Sequence, residues 1–101
     1  MSLPTKTIIN GILYVVIHQC ETIYFAKAIK KNGQLHGYQV GSVINSENPI
    51  TGKQTQELCT PQLNKVWDKF KCKTYGPKQK QKAQTQYNEW AKFNPDYQPI
   101  Q

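Results

Sequence analysis

The chain contains no arginine: all 13 of its basic residues are lysine. Arginine's planar fork is the usual reader of guanine edges and the usual two-handed grip on carboxylate or phosphate, so recognition of that kind is excluded. Lysine can still neutralise phosphate as a mobile point charge. Cysteine is scarce, and Cys20, Cys59 and Cys72 form no CxxC pair. An odd count without close pairs argues against a disulfide framework and for a reducing, cytoplasmic setting. His18 and Cys20 with Cys59 and Cys72 make the one four-ligand set on offer. Zinc sites favour close Cys pairs, so buried thiols are the preferred reading, and no metal or cofactor is assigned. Long apolar runs are missing too: the longest, residues 12–17, falls far short of the ~20 residues of a membrane span. No secretory leader opens the sequence. There is no GxSxG, no glycine-rich phosphate loop and no carboxylate pair at a meaningful spacing, and His18 and His36 are the only histidines. Each histidine reads as a structural or surface residue.

What is present is a compact, aromatic-rich chain with a strong basic bias. Its 101 residues make one domain, 1–101, able to bury roughly 60–65% of its unfolded surface. Residues 22–44, TIYFAKAIKKNGQLHGYQVGSVI, read as two strands joined by Asn32-Gly33. Asn-Gly between β-rich runs predicts a two-residue type I′ turn. That turn sets Lys31 opposite Gln34, then Ile29 opposite His36, Lys27 opposite Tyr38, Phe25 opposite Val40 and Ile23 opposite Ser42. Ile23, Phe25, Ile29 and Val40 then share an inward face. The other face pairs Ala28 with Gly37, Ala26 with Gln39 and Tyr24 with Gly41, small enough for another backbone to approach or for Tyr24 to lie across Gly41. A strand pair useful on both sides points to a curled sheet.

Before this hairpin, residues 1–6 read as a loose arm. Residues 7–9 and 12–18 are strand-like around Asn10-Gly11, as a second hairpin or a bulge, and the apolar run within them fits a strand covered on both faces. After it, residues 45–52 are loop-like, and 53–59 form a short edge strand. Thr60-Pro61 has the chemistry of a helix start, and Leu63, Val66, Trp67 and Phe70 make one apolar stripe, predicting a helix over 61–72. Tyr75-Gly76-Pro77 breaks it, and a second helix over 78–93 places Ala83, Tyr87, Trp90 and Ala91 on one face with Phe93 beside them. Residues 94–101 are a tail. The expected divisions are thus a β meander at 7–59, a two-helix part at 61–93 and the tail.

The strand order and the rhythm of YFAKAIKKNGQLHGYQV are similar to those of small Tudor- or KOW-like barrels carrying a helical extension. The resemblance is architectural. The strand and helix pattern itself predicts an α+β fold: a three- to four-stranded antiparallel meander or small Tudor/KOW-like barrel followed by two C-terminal helices. A three-stranded sheet backed by a helix is the competitor.

Charge is uneven. Of the formal net charge of +7, residues 61–101 carry +5. Lys69, Lys71, Lys73, Lys78, Lys80 and Lys82 fall in fourteen residues that contain no acid. Tyr75, Tyr87 and Trp90 lie beside them, and lysines near rings suit single-stranded nucleic acid, while a duplex needs only the charge. The leading expectation is a non-enzymatic nucleic-acid-associated protein whose candidate residues are those six lysines and Tyr75. A solvated, solubilising face is the bland alternative. The second expectation is a protein-interaction module, binding a partner or a second copy through the 53–59 edge or the face of Ala26, Ala28, Gly37 and Gly41. A small nuclease using His36, Tyr38 and lysines is the least favoured.

Overall fold

A computed structural model gives the fold for residues 3–61 and 70–100. Six strands and one helix lie among these residues: β1 (Lys6–Ile9), β2 (Ile12–Gln19), β3 (Ile23–Ile29), β4 (Leu35–Glu47), β5 (Gln54–Leu58), β6 (Cys72–Tyr75) and α1 (Lys80–Ala91). All the pairings are antiparallel, in the order β1-β2-β3-β4-β5, with β6 also on β4. The molecule is therefore a small, curled antiparallel sheet with a C-terminal helix, richer in strand than the expected three to four.

The two Asn-Gly pairs behave differently. Asn10 and Gly11 both have positive φ, 51° and 78°, so the type I′ turn belongs to the β1–β2 hairpin, where Ile9 faces Ile12. At the central hairpin only Gly33 is positive, at 87°. Gly33 N–H donates to the Lys30 carbonyl and Lys30 N–H to the Gln34 carbonyl, both at 2.9 Å. The loop is thus three residues, Lys31-Asn32-Gly33, with glycine in the left-handed position. Asn32 avoids positive φ because its Oδ1 accepts from Gln34 N–H at 3.0 Å. This moves the register by one residue, and Ile29 faces Leu35, not His36. A bulge between Ala28 and Ile29 moves it back, so the other six expected pairs, from Ala28–Gly37 to Ile23–Ser42, are all present.

Both faces of this hairpin are covered. On one, Cys20, Ile23, Phe25, Tyr38 and Val40 bury against Ala83, Tyr87 and Ala91 of α1. Phe25 stacks on Tyr38 at 5.7 Å between centroids and meets Tyr87 edge-on at 6.2 Å. Alanines either side of Tyr87 let the helix settle onto the sheet, and burying a ring such as Phe25 contributes about 1.5–3 kcal/mol. On the other face, Tyr24, Ala26, Val43 and Leu58 bury with Leu3, flanked by Ile9, Tyr14 and Val16. There the Tyr24 hydroxyl donates to the Cys59 carbonyl at 2.8 Å and accepts from Gln39 Nε2 at 2.6 Å. The small residues serve the close approaches that their size foretold. A Cβ on Gly37 would collide with the Tyr75 carbonyl oxygen, and one on Gly41 would sit 3.1 Å from the Tyr24 ring and 2.9 Å from the Lys71 carbonyl oxygen. The face of Ala26, Ala28, Gly37 and Gly41 is therefore interior, not a docking surface.

Several expectations are corrected. Of the predicted helix over 61–72, residues 62–69 lie outside the described residues; Pro61 is helical where the helix was expected to start, but Phe70 and Lys71 are not, and Cys72 opens β6. Strand β4 runs on to Glu47, through the start of the expected loop. Strand β2 is half-buried rather than covered on both faces, because a bulge between Val16 and His18 turns Ile17 outward, 43% exposed. The expected loose arm is tied down within its described residues. Leu3 is buried, and its N–H donates to Gln19 Oε1 at 3.1 Å. In the tail, Tyr97 and Ile100 pack on the helix-side core, and the Asn88 side chain bonds both. No helix among the described residues is long and apolar enough to cross a membrane.

Candidate nucleic-acid interface

Strand alternation decides where the lysines go. In β6, Cys72 turns toward the Tyr24 side of the sheet, where its thiol meets the Tyr24 hydroxyl. Residues two apart in a strand share a face and sit roughly 6.6 Å apart, so Lys71, Lys73 and Tyr75 follow one another on the side of α1. A helix through residue 72 would have splayed Lys69, Lys71 and Lys73 around its circumference.

Between β6 and α1 runs an open groove of about 450 Å³, lined by Lys73, Tyr75, Gln81, Lys82, Thr85, Gln86 and Glu89. The Tyr75 hydroxyl donates to Gln86 Oε1 at 3.3 Å and ties strand to helix. Lys73 Nζ lies 5.8 Å from the Tyr75 ring centre, and Lys71 Nζ lies 5.4 Å from that of Trp90. Lys78 and Lys80 are exposed at the entry to α1 and do not line the groove. No acid occupies the first turn of that helix, and Gln79 supplies no side-chain cap, so the positive end of the helix dipole adds to their charge. Lys69 lies outside the described residues. None of the other five ammonium groups is paired with a carboxylate among the described residues. Glu89 is the one acid lining the groove.

Of the seven candidates, the structure brings Lys73, Tyr75 and Lys82 into one groove, while Lys71, two residues before Lys73, lies over Trp90 and does not line it. Tyr87, also noted in the sequence, is 2% exposed in the core and offers no ring to a ligand. The sequence reading missed the far end of the surface. Lys92 Nζ stands 5.2 Å from the Phe93 ring centre, and Phe93 is 82% exposed. The helical hydrogen bond from Lys92 N–H to the Asn88 carbonyl, 3.1 Å, carries the turn past the end of α1. Lys82, Gln86, Glu89 and Phe93 then stand at i, i+4, i+7 and i+11, one stripe about 16 Å long. That spacing was the signal available in the sequence.

The remaining candidates lie away from the lysine groove or share only Tyr75 with it. His18 packs its ring against Phe25 and Tyr87, beside the buried Cys20. Among the described residues no three His, Cys, Asp or Glu side chains gather as a metal would need. His36, at the bulge, does share a cavity of about 290 Å³ with Tyr38, as well as with Tyr14, Gln39, Thr74 and Tyr75, but none of the clustered lysines lines it. Burial, and then the neighbouring Cys59, hold the Cys72 thiol up at about 12, against a weaker downward pull from its hydrogen bond with Tyr24. Burial likewise raises the Cys59 thiol. Neither thiol is an activated nucleophile. No protein-family model, no curated protein and no solved structure matches the chain.

Proposed function

We propose that this protein binds nucleic acid non-enzymatically, through the phosphate backbone, with Lys73 and Lys82 in the β6–α1 groove, Lys78 and Lys80 at its mouth and Lys71 two residues before Lys73. The observation that carries the reading is the groove itself: lysines from a strand and a helix converge there with Tyr75 on a surface holding one carboxylate, Glu89. Without arginine forks, affinity comes mainly from counterion release and little from base identity. Lys69 extends the same cluster in sequence.

Fluorescence anisotropy with DNA and RNA across a salt series tests this. Five phosphate contacts predict a log–log slope of about −4.5 for duplex DNA and about −3.5 for a single strand. Lys73→Glu with Lys82→Glu weakens binding and flattens the slope, and Glu89→Gln strengthens binding several-fold by removing the opposing charge. Binding that ignores salt contradicts the mechanism, and no binding at low salt ends it.

The protein-interaction reading keeps one support. Among the described residues strand β5 ends the strand path, and four of its five residues are at least partly exposed, an edge to which a partner strand or a second copy could add. A strict monomer by light scattering at high concentration removes the version with a second copy.

A further inference from the structure

Phe93 is an exposed ring with no place in either core, and helical spacing sets it in line with Lys82, Gln86 and Glu89, three residues that line the groove. Three ring–ammonium pairs are carried by the β6 segment, α1 and the turn after it: Lys73 on Tyr75, Lys71 on Trp90 and Lys92 on Phe93. A duplex keeps its base faces stacked internally and has no use for a surface ring. A single strand offers both phosphates and free base faces, and successive bases stack on aromatic side chains while the backbone follows positive charge.

We infer that the ligand of this surface is single-stranded nucleic acid and that Phe93 is its stacking platform, with Trp90 a second, half-buried ring. The inference rests on the phosphate-binding reading above and adds the strandedness of the ligand and a residue that carries no charge. In the free protein each ammonium rests over its ring, a weak contact at an exposed site. On binding, Lys92 and Lys71 swing to phosphates, and a base takes the uncovered face of Phe93. Glu89, between Lys82 and Phe93 on the same helical stripe, keeps phosphate off the middle of the path and leaves that stretch to the amides of Gln81 and Gln86.

The test compares an oligothymidine with a duplex of equal length, by anisotropy across salt, for the native chain, Phe93→Ala and Phe93→Trp. Phe93 is surface-exposed, so both variants fold. The expected result is tighter binding of the single strand by the native chain. Phe93→Ala loses roughly 5- to 140-fold of that affinity with an unchanged salt slope and unchanged duplex binding, and Phe93→Trp retains it. If Phe93→Ala binds the single strand as the native chain does, or if the duplex binds as tightly, the stacking inference is overturned while the salt-dependent phosphate reading stands. Binding of neither at low salt overturns both.

Discussion

Tyr24 shows how few groups hold the interior of this fold. Its hydroxyl proton goes to the Cys59 carbonyl, so toward Gln39 it can only accept, and the amide must present Nε2. Gln39 Oε1 is left buried without a partner. Tyr24→Phe removes the hub: the Cys59 carbonyl and Gln39 Nε2 lose these bonds in a buried site, at a cost of about 1–3 kcal/mol. Thermal melting checks this, with a fall of roughly 4–8 °C per kcal/mol for a domain of this size. Gly37 is the second sensitive point, because its missing side chain makes room for the Tyr75 carbonyl. Gly37→Ala pushes β6 off β4, costs about 1–3 kcal/mol and, by displacing Lys73 and Tyr75, weakens nucleic-acid binding as well. Amide exchange that stays slow across residues 72–75 in Gly37→Ala would contradict this account.

At the scale of elements, what could be read from the sequence followed local chemistry. The β3–β4 hairpin, its two useful faces and the Ala83–Tyr87–Ala91 face of the helix all come from side-chain periodicity. The turn and the bulge were hidden because their one-residue shifts cancel: the outer pairs look the same with neither. Strand β6 was hidden because its four residues, CKTY, follow an apolar stripe at helical spacing. Its strand state comes from pairing with β4, from Gly41–Cys72 to Tyr38–Tyr75, a tertiary contact with no local mark. The groove was therefore only half readable. The lysine cluster was plain in the composition, but its sharing of a face depends on the alternation of a strand that was not foreseen. Phe93 was placed beside the packed face, and it lies exposed, outside both cores.

For the molecule as a whole, burial makes folding and proton binding interdependent at high pH. The folded state keeps the Cys72 proton up to about pH 12, against 9.0 for the ordinary thiol. Burial raises Tyr24, Tyr87 and Tyr14 above 10.0 as well. Each raised group contributes stability that is complete below its ordinary value and is lost as pH climbs toward its folded one. Urea midpoints should therefore fall steadily between about pH 9 and pH 12, and more gently in Cys72→Ala. A flat midpoint across that window in the native chain contradicts the burial of these groups.

Ser42 carries a consequence of a different kind. Its carbonyl accepts from Cys59 N–H at 3.0 Å, its N–H donates to the Lys71 carbonyl at 2.8 Å, and its Oγ accepts from Lys71 N–H at 2.8 Å. One residue of β4 thus holds both Cys59, next to the end of β5, and Lys71, at the entry to β6. Ser42→Ala therefore leaves Lys71 N–H without its acceptor and loosens the strand that carries Lys73 and Tyr75.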